Sequence, residues 1–326
     1  MSKKWQQLSS LIVGCGSIGK RHGRVLQSLG VGDIRACDPL SEMRSQMSIQ
    51  CPCAKIYESF EDALADCPDT VFICTPPKLH ISMIIQALNA GCDVFCEKPL
   101  SVSTEGIDDL ETLVKEKDKK VMVGLCFRYH DGIVKAQQYL QTGRFGRIVS
   151  IRALMGEHLP DVRPDYHNLF SAKYGGAFDL MHDIDLALWF ADKPVRKVRC
   201  FYGNYSDIGI QTPDLAEILI NFEGNCLAGV HLDFFQRPRR RQFELICTKG
   251  VIIVEFSRWD VCKVSTYEAE NTSWRHEDIK TERDDMFRAE DTEFLKAVAE
   301  DGQISCTIAE ARESLEVVCA ARQQTC

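Results

Sequence analysis

Over residues 8–125 short strand-like runs alternate with stretches of helical periodicity, and this alternation restricts the fold more than any other property of the chain. The runs are Leu11–Val13, Ile34–Asp38, Lys55–Tyr57, Val71–Cys74, Asp93–Cys96 and Val121–Leu125. Between them the pattern predicts helices over Ser17–Leu29, Phe60–Asp66, Leu79–Ala90 and Thr104–Lys119. Ser59 stands where an N-cap belongs, and Gly91 stands where a helix has to stop. Apolar strands separated by helices are buried on both faces, which is the signature of a parallel sheet. Right-handed crossovers then give a doubly wound α/β sheet of the Rossmann kind.

From about residue 147 the rhythm changes. Ile148–Met155, Val195–Tyr202, Ala216–Phe222, Cys226–Phe235, Gln242–Cys247, Val251–Phe256 and Cys262–Tyr267 read as strands with partial alternation. Tight turns such as Glu223-Gly-Asn225 and Lys249-Gly250 separate several of them. The expectation is an α+β domain around a large, mostly antiparallel open sheet. One helix, near Phe178–Phe190, interrupts it, and two more close the chain at Arg283–Ala299 and Ala309–Ala321. Two domains follow, a dinucleotide-binding domain over residues 1–125 and a substrate-binding and oligomerisation domain over 126–326.

Composition narrows the function classes. The chain has 326 residues and a net charge of −8, from 39 basic and 47 acidic groups, so a broad basic face for nucleic acid is not expected. No apolar run approaches the roughly 18 residues of a membrane span. The opening apolar stretch breaks at Gly14, too early for a signal peptide, and the expected location is the cytoplasm. The 16 cysteines include no Cys-x-x-Cys pair, and many lie within apolar runs, where a reduced thiol acts as a small hydrophobe. No metal site is expected: His158, His167 and nearby acids fit no zinc spacing.

Three features carry chemistry. Gly14-Cys-Gly16-Ser17-Ile18-Gly19 follows a strand and opens a helix, the context in which Gly-x-Gly-x-x-Gly cradles a pyrophosphate on helix N–H groups. Asp38, at the end of the second strand, is placed to hold the adenosine ribose hydroxyls. It would repel a 2′-phosphate, so NAD is favoured over NADP, with Lys20, Arg21 and Arg44 as cations that could soften that preference. Thr75-Pro-Pro77 and Glu97-Lys98-Pro99 stand at strand exits, where open α/β sheets bind ligands, and Lys98 puts a cation where a nicotinamide would lie. Asp179 and His182 are three apart, which on a helix shares a face and suits proton relay near neutral pH.

Together these motifs resemble the glucose–fructose oxidoreductase / inositol dehydrogenase / rhizopine catabolism (Gfo/Idh/MocA) family. The resemblance rests on Gly19-Lys-Arg-His22 after the fingerprint, Cys74-Thr-Pro-Pro, Cys96-Glu-Lys-Pro and the late Asp179-x-x-His182. Glu157–Asp161, Arg163–Tyr166, Gly175-Gly176 and Phe235–Pro238 further resemble a subgroup linked to surface-sugar and nonulosonic acid synthesis. The resemblance implies an oxidoreductase that moves a hydride between NAD and a sugar or nucleotide-sugar. It implies Lys98 at the reacting oxygen, His182 as general acid/base and Asp179 orienting it. Gly14, Gly16, Ser17, Ile18, Gly19, Asp38, Cys74, Thr75, Pro76, His80, Glu97 and Lys98 would line the cofactor. Arg128 would reach the substrate. In inositol-type members the acid stands four residues before the histidine; here that position is Phe178.

Arg163 and Tyr166 are expected in a loop that grips sugar hydroxyls, against the plainer reading of a solvated connection. Arg237-Pro-Arg-Arg-Arg241 reads as a charged turn, with contact to a substrate phosphate as the minority reading. An open sheet face predicts a homodimer or homotetramer. Two rival functions stand beside the dehydrogenase: an NAD-bound sensor without turnover, and a glycoside hydrolase using NAD as a resident redox catalyst.

Overall fold

The computed structural model of the protein describes residues 4–52, 55–163, 165–166 and 175–324. The chain divides into two compact units, residues 1–126 with 284–315, and residues 127–283 with 316–326.

The first unit is built on six parallel strands: β1 (Ser9–Val13), β2 (Asp33–Cys37), β3 (Lys55–Tyr57), β4 (Thr70–Ile73), β5 (Asp93–Glu97) and β6 (Val121–Gly124). Their spatial order is β3-β2-β1-β4-β5-β6, so successive strands are added on opposite sides of β1. Helices α1 (Ser17–Ser28), α2 (Ser41–Gln50), α3 (Phe60–Ala65), α4 (His80–Asn89) and α5 (Ile107–Lys117) make the connections. Every residue of β1, β4, β5 and β6 is buried, as parallel strands covered on both faces must be. The Ser59 cap forms, its Oγ accepting from the Asp62 N–H at 3.1 Å. The sequence pattern passes over α2, whose polar composition leaves only Met47 buried.

The second unit contains α6 (Asp131–Gln141), β7 (Ile148–His158), the single turn α7 (Leu159–Val162), α8 (His182–Ala191), β8 (Val195–Gly203), β9 (Leu215–Phe222), β10 (Cys226–Asp233), β11 (Phe235–Cys247), β12 (Gly250–Glu255), β13 (Val261–Glu268) and β14 (Ser273–Lys280). The eight strands order as β14-β13-β12-β11-β7-β10-β9-β8. All pairings are antiparallel except β7 with β10. Alternation in β9 is strict: Ala216, Ile218, Ile220 and Phe222 point inward, while Glu217, Leu219 and Asn221 face out. Burying each of Ile218, Ile220 and Phe222 contributes about 1.5–3 kcal/mol. No described helix is long and apolar enough to cross a membrane.

Three expectations are corrected. The final two hundred residues are not one piece. Helix α9 (Asp285–Glu300) packs with the first unit, because Phe294 sets its ring edge-on to both Phe72 (5.5 Å) and Phe95 (5.8 Å). The last helix, α10 (Ile308–Arg322), is shared between the two units. Arg237–Arg241 is not a turn but part of β11, where a register shift between Phe235 and Arg240 accommodates Pro238. Asp179 and His182 do not share one helix: Gly176–Leu180 is a 3-10 turn, and α8 begins at His182.

Candidate functional site

The first strand–helix turn is a cradle made of absences. A Cβ at Gly14, whose φ is +94°, would lie 2.7 Å from the Cys74 carbonyl oxygen. One at Gly19 would lie 1.9 Å from the Gly14 carbonyl oxygen, so only glycine lets α1 close on β1. Gly16 differs: its backbone is extended (φ −69°, ψ −167°), and a Cβ there would meet nothing within 4 Å. Gly16 also caps α1 without a side-chain hydrogen bond. Open space above a helix N-terminus is what an incoming phosphate requires.

Asp38 anchors this loop from the next strand. Its Oδ2 accepts the Cys15 N–H at 2.8 Å and its Oδ1 the Leu40 N–H at 2.9 Å. The cations near the cradle each have a partner within the protein. Lys20 reaches Gln46 (2.5 Å), Arg21 pairs with Asp284 (3.2 Å), and Arg44 binds the Asp38 and Pro39 carbonyls and Glu58. The cradle and its acid fit a dinucleotide. Beside them, burial raises the Cys15 thiol to about 12, with the Asp38 charge adding to it, so it stays neutral.

The other strand exits are braced from within. His80 is buried, with Nε2 at 2.8 Å from the Thr75 carbonyl and Nδ1 at 2.9 Å from the Pro99 carbonyl. Burial pushes its pKa down, against the pull of those carbonyls. His80 thus sits between the two exits, its one N–H donating to one of the carbonyls. The Thr75 hydroxyl donates to the Met83 sulfur at 3.4 Å. Cys74 is buried, its thiol held well above the usual range by desolvation and then by the Glu97 charge. Glu97 turns inward: Oε1 meets His22 Nε2 at 3.1 Å, and Oε2 accepts the Lys98 N–H at 3.1 Å. Lys98 itself is half-buried at the exit of β5.

In the second unit His182 opens α8, its ring 4.8 Å from the Phe127 ring. The other side of this cluster is cationic: the Arg241 guanidinium lies 3.6 Å from the Phe127 centroid and 5.2 Å from that of Phe256. Sequence reasoning missed what fixes α8. Asp183 and Asp185 are buried in its first turn, where acids suit the helix dipole. Arg241 clamps Asp183 with its Nη2 at 2.5 Å and Nε at 3.3 Å. Arg128 clamps Asp185 at 2.7 and 3.0 Å. Such forked pairs hold the helix start rigid. Arg128 is therefore held on Asp185, three residues along the helix from His182, rather than with its fork free. Asp179 is exposed, and its carboxylate lies 2.9 Å from where a Gly175 Cβ would be.

Of the loop expected to grip substrate, Tyr166 packs against Leu159, Ile208, Ile210 and Phe234, and its hydroxyl donates to the Ile208 carbonyl at 3.1 Å. Arg163 is exposed. His167 lies outside the described residues. Each described cysteine is a free thiol.

A glycine cradle at the first turn of a 3-2-1-4-5-6 parallel sheet, with an acid closing the second strand, defines a dinucleotide-binding α/β protein. Residues 8–125 match the family described as "Oxidoreductase family, NAD-binding Rossmann fold", and residues 133–253 match the GFO/IDH/MocA C-terminal domain. The chain belongs to the Gfo/Idh/MocA oxidoreductase family. An inositol 2-dehydrogenase from Corynebacterium glutamicum is 25% identical over 229 residues, 68% of this chain and 66% of its own, so the chain spans about two thirds of that relative. Among solved structures, a levoglucosan dehydrogenase in complex with NADH and levoglucosan superposes with a TM-score of 0.86 at 20% identity, covering 97% of this chain and 96% of its own. UDP-N-acetylglucosamine 3-dehydrogenase from Acidithiobacillus ferrooxidans does so with a TM-score of 0.79 at 20% identity, covering 97% of each chain.

Proposed function

We propose that the protein moves a hydride between NAD and a hydroxyl- or carbonyl-bearing carbon of a sugar or nucleotide-sugar. NAD, when bound, supplies the hydride chemistry. His182 exchanges the hydroxyl proton, and the Lys98 ammonium stabilises charge as it develops on that oxygen. Asp179 assists from the turn before α8, and exposed Arg163 is the substrate contact we retain. Arg128 acts by holding α8 through Asp185, and Tyr166 by holding the loop at Ile208. The observation that carries this reading is Lys98, a cation presented at a strand exit of the sheet that also bears the glycine cradle. The names of the relatives support a polyhydroxylated substrate.

The basic run of β11 adds little to phosphate binding. Arg237 pairs with Asp161, Arg239 with Glu157 and Arg241 with Asp183, so most of its charge is answered internally. We place the protein in the cytoplasm, which suits its free thiols. We also propose that it forms a homo-oligomer through the outer face of the eight-stranded sheet, where Phe201 (67%), Leu219 (51%) and Leu227 (46%) are exposed.

The test is to incubate the pure protein with NAD and a panel of free and nucleotide-linked sugars while following nicotinamide absorbance. Lys98→Ala is expected to keep NAD affinity and lose several orders of magnitude in turnover. Near-normal rates in that variant discard the assignment. Sugar cleavage without net NADH favours the hydrolase, and tight NAD binding with no turnover on any sugar favours the sensor.

A further inference from the structure

His22 is entirely buried in the first unit, yet both its ring nitrogens face carboxylates. Nδ1 lies 2.9 and 3.0 Å from the two oxygens of Asp291 on α9. Nε2 lies 3.1 Å from Glu97, whose other oxygen receives the Lys98 N–H. The ring is fixed by Phe95 (5.1 Å), Phe72 (5.6 Å) and Phe287 (5.7 Å). Gly124 on β6 leaves room for the Glu97 carboxyl, since a Cβ there would approach it to 3.3 Å. A fourth group completes the cluster. Glu290 is fully buried, close to His22 and Glu97, and neither of its carboxyl oxygens has a hydrogen-bond partner among the described residues.

We propose that His22 is a positioning residue for Lys98: pinned by Asp291, it holds Glu97 as an oriented carboxylate that fixes the Lys98 backbone, while Glu290 stands beside it as a neutral acid. The inference rests on the reading of Lys98 given above. Burial raises the Asp291 carboxyl, and the His22 charge and hydrogen bond pull it back; with both facing groups ionised, two N–H donors are needed, which makes His22 an imidazolium. Burial alone would lower its pKa, but the charge and hydrogen bonds of Asp291, then Glu97, hold it well above the usual range. Burial drives Glu290 well above the carboxylate range, and the Glu97 and Asp291 charges add to that. A cation ligated here would need Nε2 stripped of its proton and turned away from Glu97, so the cluster is read as a proton-holding brace rather than a metal site.

The other titratable groups around it are few. Arg21, beside His22 on α1, pairs with Asp284. Cys74 and Cys96 are held neutral by burial, burial also holds His80 low, and Glu293 follows on α9.

The experiment compares His22→Gln, Asp291→Asn, Glu290→Gln and Lys98→Ala in the full chain. His22→Gln should lower kcat about 10–100-fold, the scale of a sub-ångström misplacement, with NAD affinity little changed. Without the imidazolium the Asp291 carboxyl loses the charge that opposes its burial, so the cluster holds its ionised form less readily and the loss should shrink as pH rises from about 6 to about 9. A role in packing alone would give no such recovery. Asp291→Asn keeps the ring and its contacts, and should show the same effect more weakly should His22→Gln fail to fold. Glu290→Gln, one neutral group for another, should keep the parent's melting temperature. Parent-like kcat in both His22→Gln and Asp291→Asn, with Lys98→Ala inactive, overturns the brace and leaves the dehydrogenase reading standing. An active Lys98→Ala removes that reading instead. Stoichiometric divalent metal in the purified protein, lost in Glu290→Gln, also overturns the proposal by making His22 a ligand.

Discussion

Placing one methyl group at each glycine of the first turn should separate folding from cofactor binding. At Gly19 a Cβ would stand 1.9 Å from the Gly14 carbonyl oxygen, a backbone atom that can yield only if α1 leaves β1. Overpacking of this kind costs about 3 kcal/mol or more. Gly14→Ala combines a 2.7 Å approach to the Cys74 carbonyl with a φ of +94° that alanine resists. Gly16→Ala meets nothing within 4 Å, and its backbone is one any residue adopts. Two small effects of opposite sign remain there. Alanine restricts the unfolded chain, worth about 0.4–1 kcal/mol, and it is a poorer N-cap than glycine by about 1 kcal/mol. Free Gly16→Ala should therefore melt near the parent, while Gly19→Ala melts well below it. With NAD at one hundred times its Kd the parent gains about 2.7 kcal/mol. For a unit of this size that raises the melting temperature by about 5–10 °C. Gly16→Ala should lose most of that rise, and Gly16→Val all of it, because the added carbon fills the phosphate's approach. Thermal scans with and without NAD, backed by calorimetric titration, measure both quantities. A Gly16→Ala protein that keeps the full NAD-dependent rise, or that melts as low as Gly19→Ala without NAD, refutes the reasoning.

Two further outcomes follow from the outer face of the second unit. His231 lies between Glu217 and Asp233 (2.9 Å), and the Asp233 hydrogen bond, then that of Glu217, raises its pKa from 6.5 to about 9 against the cost of burial. Its folded pKa exceeds the unfolded one, so its stabilisation, at most ~3 kcal/mol, is complete below about pH 6.5 and fades as pH rises through about 9. Urea midpoints across that window should fall more steeply in the parent than in His231→Gln; parallel curves would exclude the effect. Leu219→Glu with Leu227→Glu should reduce the mass measured by light scattering to that of a single chain without changing its circular dichroism, and an unchanged mass would place the oligomer interface elsewhere.

The parts of this protein that could be read from its sequence are those whose cause is local. The cradle is legible because Gly14 has a φ of +94° and Gly19 packs on the Gly14 carbonyl five residues before it, and the parallel sheet because a strand buried on both faces has to be apolar along its length. Polar elements escaped: α2 buries only Met47, and β14 is an edge strand with an almost wholly exposed polar run, so neither writes a hydrophobic period. The buried ion pairs escaped for a different reason. Asp183 and Arg241 are 58 residues apart, and His22 and Asp291 are 269 apart, so each charge read alone looks like a solvated surface group. The run at Arg237–Arg241 looked like a turn because five residues with four cations and a proline are poor strand material. It becomes a strand because Asp161, Glu157 and Asp183 neutralise three of those cations. The same distance hid the return of α9 to the first unit. Its apolar face shows in the sequence, but which sheet that face covers depends on Phe72 and Phe95, some two hundred residues upstream. What local pattern cannot encode is which distant charge answers a buried one, and that pairing decides whether His182 starts a rigid helix and whether Glu97 can hold the backbone of Lys98.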